Sequence, residues 1–154
     1  MTKATTLEVG QLTKDGVYIG RFKGEDGTVK DWFADAKDAR DANGKKLCLN
    51  FNDAAKYAKD STALGHNDWV LPSGWNDYDG KPDILGAMFN NKSTGAFRGT
   101  FDETGSFPGS WYWTSSTDGD SGTYAKIQRL NDGIHDPGFK PDALSVRLVR
   151  SVKV

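Results

Sequence analysis

Asp68-Trp69-Val70-Leu71-Pro72-Ser73 is the stretch on which the fold turns. Two others are built the same way, Trp111-Tyr112-Trp113-Thr114-Ser115-Ser116 and Ser145-Val146-Arg147-Leu148-Val149-Arg150. Each is an apolar or aromatic run that ends in small or charged residues, and each is set in surroundings rich in Gly, Asp, Asn and Lys. Short apolar runs bounded by turn-forming residues predict buried strands. Long polar stretches between them predict loops carried on a rigid frame, the usual setting for binding. Period-two alternation puts Trp111 and Trp113 on one face and Tyr112 on the other.

Working outward, residues 16–22 read as a strand with Val17 and Ile19 on one face and Tyr18 on the other. Gly24-Glu25-Asp26-Gly27 is a turn, and residues 28–34 return with Val29, Trp32 and Phe33 for packing. A helix is predicted from Asn50, a good N-cap, with Asp53 in its first turn. Its buried stripe is Phe51, Ala54, Ala55 and Ala58, and Gly65 is placed as its C′ residue. Pro82 suits the first turn of a second helix carrying Ile84, Leu85, Met88 and Phe89. The Gly-spaced segment 90–109 is anchored by Phe97, Phe101 and Phe107. Strands follow at 111–115, 123–130 and 144–152, with Asn131-Asp132-Gly133 as a turn. The expectation is α+β: two helices around a small antiparallel sheet with long loops. One domain covers residues 15–154, and residues 1–14 form an N-terminal arm that reads as flexible, as an edge strand or as a strap onto a neighbour.

The 154 residues suit one domain. With 20 basic and 21 acidic residues the net charge is −1, which leaves no basic field for a phosphate backbone, so nucleic acid is not expected as a partner. A single cysteine, Cys48, excludes an intrachain disulfide and reads as a small buried hydrophobe. No apolar run approaches the ~20 residues of a membrane helix, and no membrane insertion is expected. The first residues carry no apolar core of a secretory signal, so synthesis in the cytoplasm is expected.

The ordered set resembles the C-type-lectin-like fold in its bacterial and phage branch, which includes the C-terminal domain of a collagen-like bacterial adhesin. That pattern runs helix, G-x-x-D-W-R-L-P, second helix, Y-W-S-S, and a closing V-R-x-V-R strand. The matching residues are Gly65-His66-Asn67-Asp68-Trp69-Val70-Leu71-Pro72, Tyr112-Trp113-Thr114-Ser115-Ser116 and Val146-Arg147-Leu148-Val149-Arg150. The likeness covers about residues 16–152. Two features depart from it: Val70 stands where the pattern has Arg, and residues 74–82 intervene before the second helix. The resemblance implies N- and C-terminal strands that lie together, and binding through the loops between the late strands.

Candidate ligand-binding residues lie in those loops. Trp75 and Tyr78 are aromatic residues set among Asn, Asp and Gly, the context of a binding anchor or of a ring packed under its own loop. Asp118, Asp120, Asn131, His135 and Asp136 complete the set. No cofactor is expected. Calcium is the nearest candidate, through Asp77, Asp79 and Asp83 or Asp118 and Asp120, but neither group carries the bidentate Glu of a calcium loop. Trp75-Asn76-Asp77 and Lys140-Pro141-Asp142 imitate lectin calcium triplets in reversed order, and Lys140 has no oxygen to give. His66 is expected to satisfy free carbonyls at the helix end, and Arg147 and Arg150 to pair with local acids or carbonyls. Ser115 with His135 and Asp136 lacks the context of a hydrolase nucleophile.

The functional expectation is a non-enzymatic display domain on a phage virion, as a tail-fibre tip or head decoration. It would recognise a host-surface glycan or protein and act as a homo-oligomer beside other virion proteins. The alternatives are a purely structural capsid-decoration or cement protein and, last, an enzyme of the formylglycine-generating type, which depends on paired cysteines.

Overall fold

Val17 and Ile19 are buried as their alternation predicts, and Tyr18 between them packs against Phe33 with ring centroids 5.4 Å apart. A computed structural model describes residues 6–24, 26–75, 81–118 and 122–154, the side chains of 117 and 118 excepted. The elements are β1 (Leu12–Thr13), β2 (Gly16–Lys23), β3 (Val29–Ala34), α1 (Phe51–Asp60), α2 (Ile84–Asn90), β4 (Trp111–Asp118), β5 (Tyr124–Arg129), β6 (His135–Phe139) and β7 (Val149–Lys153). They form two antiparallel sheets, β1-β2-β3-β7 and β4-β5-β6, so the class is α+β. None of the described helices is long and apolar enough to cross a membrane.

The described part of the N-terminal arm is an edge strand folded onto its own domain. Gly10 N–H donates to Tyr18 O, and Ala96 N–H donates to Gly10 O, each at 2.8 Å. Gly10 (φ +86°) allows this approach, because a Cβ there would lie 2.6 Å from Thr94 O.

α1 begins as expected, with Asn50 Oδ1 accepting from Asp53 N–H at 2.8 Å, and it buries Ala54 and Ala58. It ends at Asp60, earlier than Gly65. That glycine closes a separate 3-10 turn, Ala63–Gly65, whose carbonyl at Ala63 takes the Trp69 indole N–H at 3.0 Å. α2 is capped by Asp83, which accepts from Gly86 N–H at 2.8 Å, and Pro82 stands just outside the helix. Phe97 and Phe101 are buried as anchors of the long segment, whereas Phe107 is 63% exposed.

Two of the expected strands are irregular. Residues 69–71 make a single bridge, Val70 to Val149, because Pro72 has no N–H to extend a ladder. Residues 144–148 are extended but serve two partners at once. Ser145 exchanges hydrogen bonds with Trp111 and Trp113 of β4, while Val146 and Leu148 carbonyls accept from Ala39 and Asp35. Every side chain from 144 to 149 is at most 1% exposed, so this run is the spine between the sheets. Trp111 and Trp113 join α1 in one apolar cluster, and Tyr112 faces a second cluster formed with α2 and β2.

Arg147 lies inside that spine with no exposed surface. Its Nε donates to Asp38 Oδ1 at 3.0 Å, Nη1 to Asp35 O and Thr100 Oγ1, and Nη2 to Thr100 O. The guanidinium sits 4.0 Å from the Phe101 ring centroid. Asp38 Oδ2 accepts from Tyr112 O–H at 2.6 Å and lies 3.2 Å from Lys46 Nζ. Burial, then the Asp38 charge, pushes the Tyr112 hydroxyl far above the ordinary tyrosine range, so it stays a donor. A second clamp lies on β7. Arg150 is bidentate to Asp68 at 2.7 and 3.1 Å and also reaches Asp15 at 2.9 Å. His66 does not serve the α1 carbonyls. Its Nε2 lies 2.9 Å from Lys14 O and 3.4 Å from Asp15, on the β1–β2 turn, which the Arg150 side chain already holds nearby.

Arg147→Ala removes the buried cation and leaves Asp38 with only Tyr112 and the part-exposed Lys46, and a loss of about 3–5 kcal/mol is expected. For a chain of this size that is a fall of about 6–20 °C in Tm. Tyr112→Phe removes only the hydroxyl and is expected to cost about 1–3 kcal/mol. Urea unfolding of both variants checks the order; an Arg147→Ala variant as stable as Tyr112→Phe would remove Arg147 as the central tie.

The Arg150 guanidinium holds the Asp68 carboxyl below the usual carboxylate range. A depressed folded-state pKa adds stability that is present above the unfolded value of about 3.9 and is lost as pH falls through the folded value. The stability gap between wild type and Arg150→Met is therefore expected to be full at pH 7 and to narrow below about pH 4. Urea midpoints across pH 2.5–7 read this directly, and a gap that is constant in acid would contradict it.

Candidate functional site

Two regions bring together polar and aromatic side chains. The first is the face of β5 and β6 turned away from the tryptophan cluster. Cross-strand pairing sets Gln128 opposite His135 and Ile127 opposite Asp136, so His135 and Asp136 point to opposite faces. Residues 73–75 cross this face, with Gly74 close against Thr114, and lay Trp75 over it. The Trp75 indole N–H donates to Ile127 O at 3.3 Å, and its ring stacks on His135 with centroids 4.9 Å apart and planes 12° from parallel. Lys126 Nζ stands 4.3 Å from the same ring centroid. The ring that could have been an exposed platform is thus committed to its own sheet.

Gln128 is buried under this cluster. Its amide donates to Gly133 O at 3.1 Å and meets His135 Nε2 at 3.2 Å, while its Oε1 is buried without a partner. An amide nitrogen can only donate, so in this contact His135 Nε2 is placed to accept.

The other expected site residues are dispersed. Asn131 is exposed in the β5–β6 turn, its carbonyl taken by Lys92 Nζ at 2.9 Å. Asp136 is exposed on β6. Asp118 ends β4 and its side chain lies outside the described residues, as do Tyr78, Asp120, Asp77 and Asp79. Asp83 is engaged as the α2 cap. Among the described residues no three His, Cys, Asp or Glu side chains converge on a point that could hold a metal. Lys140 Nζ lies over Phe51 at 4.7 Å.

The second region is a groove of about 840 Å³ between α1, the β2–β3 hairpin and residues 67–73. Sequence reading missed it. Alternation explains it: Trp69 and Leu71 turn into the core at 2% and 6% exposure, so Val70 turns outward at 46%. The Val70 backbone is fixed by its two hydrogen bonds with Val149, at 2.8 and 2.9 Å. Phe51 and Ala55 of α1 and Trp32 of β3 complete the apolar lining. Ala55 was assigned to the helix stripe; it is exposed and faces this groove. Its polar lining includes Asp26, Lys30, Lys59, Asn67, Asp68 and Lys81. The missed signal was the alternation through Trp69-Val70-Leu71, which turns one apolar side chain outward.

Ser73 and Pro82 meet at the groove. Ser73 Oγ donates to Pro82 O at 2.6 Å, and Ser73 O accepts from Ile84 and Leu85 N–H, which closes the base of residues 74–82. Ser73, Lys81 and Pro82 all line the groove. Ser115 borders it as well, whereas His135 is engaged with Trp75 and Gln128; no hydrogen bond joins Ser115 to His135. Cys48 is half-buried with Sγ 4.0 Å from Ser145 Oγ. The arrangement offers apolar and aromatic surface, hydrogen-bonding groups and charges to a ligand. No family model matches the chain, and comparison with curated proteins finds no match.

Proposed function

We propose that the chain is a non-enzymatic display domain with a C-type-lectin-like fold, carried in several copies on a virion surface beside other virion proteins, and that it recognises a host-surface carbohydrate or protein. The observation that carries this reading is the groove of about 840 Å³, lined by the exposed Val70 and by Ser73 and Pro82, which are hydrogen-bonded to each other. Pockets that take small ligands are concave, mostly apolar and furnished with a few polar groups, with volumes of about 300–1,000 Å³.

The chain order supports the fold assignment: a hairpin, α1, the Trp69–Leu71 run, α2, a long segment, the three-stranded sheet, and a last strand returning beside the first hairpin. That return is what the W-x-L-P, Y-W-T-S-S and V-R-L-V-R residues imply by resemblance. The ionisable groups support a binding role. Arg147 with Asp38 and Lys46, and Arg150 with Asp68, form two ion clusters in the frame, and His135 is stacked under Trp75. Groups held this way serve rigidity, and a rigid frame is what a loop-displaying domain needs.

Filling the groove tests the reading. Val70→Arg places a long cation on an exposed position, where the cost to stability is expected within about 0.5 kcal/mol. Binding of the intact protein to host cells and to a glycan array is expected to fall by at least about tenfold. A folded wild-type protein that binds neither cells nor glycans, or a Val70→Arg variant that binds as well as wild type, would defeat the proposal.

A further inference from the structure

We propose that the Trp75–His135 contact is a pH-sensitive latch: protonation of His135 unseats Trp75 from the β5–β6 face. The latch is independent of the display-domain reading. The first observation is the orientation of Gln128. Its side chain is buried, and its amide nitrogen lies 3.1 Å from Gly133 O. A carbonyl oxygen only accepts, so the amide has to turn its nitrogen that way. The same nitrogen faces His135 Nε2 at 3.2 Å, which leaves that ring nitrogen to accept. An imidazolium carries a proton on both nitrogens and accepts at neither. Turning the amide over does not repair the contact. Oε1 would then face the Gly133 carbonyl, and the nitrogen would take the place where Oε1 is now buried without a partner. The seated arrangement therefore has no room for a proton on His135 Nε2.

The second observation joins that proton to Trp75. The indole lies on His135 with ring centroids 4.9 Å apart. Its other polar contacts among the described residues are the 3.3 Å hydrogen bond to Ile127 O and Lys126 Nζ, 4.3 Å from its centroid. His135 is exposed, so its protonated ring reaches water by turning off Gln128, and the stacking surface moves with it. An imidazolium that stayed would add a second cation to an indole that already carries Lys126. The remaining charges nearby are engaged or turned away. Asp132 is paired with Arg129, whose guanidinium lies over Trp111, and Asp136 points to the opposite face of β6. The side chains of Asp77, Asp79, Asp118 and Asp120 lie outside the described residues. A carboxylate close to the ring would move the pH of the change and leave the lost acceptor as it is. Histidine is the side chain whose ordinary range falls between about pH 5 and 8, and the chain has two, His66 and His135.

The test is fluorine NMR of the full chain labelled with fluorotryptophan, followed from about pH 8 to about pH 5. Loss of one resonance in Trp75→Phe identifies Trp75. As pH falls through the histidine range, that resonance is expected to move toward the position of free fluorotryptophan while the other tryptophans stay. The ratio of free to seated ring is expected to rise by up to about tenfold per pH unit, the limit for a single proton. His135→Gln keeps an acceptor at every pH and Gln128→Leu removes the donor, so both are expected to abolish the change; His66→Gln is expected to leave it intact. Urea midpoints show whether each variant is folded, and if the buried Gln128→Leu is not, the exposed His135→Gln decides alone. A Trp75 resonance that does not move overturns the latch. So does a movement that persists undiminished in folded His135→Gln or Gln128→Leu, or one that is lost in His66→Gln. Movement of all the tryptophan resonances together reports unfolding of the whole chain and overturns it as well.

Discussion

A guanidinium with no exposed surface holds this fold in register. Arg147 reaches Asp38 after β3, Thr100 in the segment after α2, and the carbonyl of Asp35, and through Asp38 it is joined to Tyr112 on β4. The segment that follows β3, the second sheet and the segment between α2 and β4 thus share one buried cation. A buried charge is costly to desolvate, and the cost is offset only when its partners are fixed. Here each of its nitrogens has a partner and an aromatic ring covers one side. An alternative packing that moves any one element leaves several groups unpaired together. The ion network therefore acts on specificity as much as on stability, and it frees the loops from having to pack well.

What could be read from the sequence followed periodicity and caps. The α1 start at Asn50, the opposed faces of Trp113 and Tyr112, the Asn131-Asp132-Gly133 turn and the α+β class each rest on a local rule, and local rules need no knowledge of the rest of the chain. The misses are long-range. Residues 144–148 are apolar enough to read as strand, yet they divide their hydrogen bonds between β4 on one side and Asp35, Ala39 and Leu49 on the other, which no window of residues reveals. His66 sits where a helix-end cation belongs, but α1 had already ended and its partner is the Lys14 carbonyl, 52 positions away. That Arg147 and Arg150 would pair with acids was readable; that the acids would be Asp38 and Asp68 was not.

The site was less legible than the fold for the same reason. Trp75 among Asn and Asp signals an aromatic residue with work to do, but whether it faces solvent or its own sheet depends on Lys126 and His135, both more than 50 positions later. Once stacked, it fastens residues 73–75 to β5. The Ser73–Pro82 hydrogen bond in turn brings Pro82 beside these residues.

The groove is a by-product of the same alternation that builds the core. Trp69 and Leu71 must point inward to fill the space under α1, and the antiparallel bridge to Val149 fixes the backbone between them. Val70 then has to point out. With Arg at that position, a long cation would lie across the floor and could compete for Asp68, which already serves Arg150. With Val the floor is short, apolar and open, and Asp68 stays committed to the β7 clamp. One side chain thus keeps the groove apart from the ion pairs of the frame.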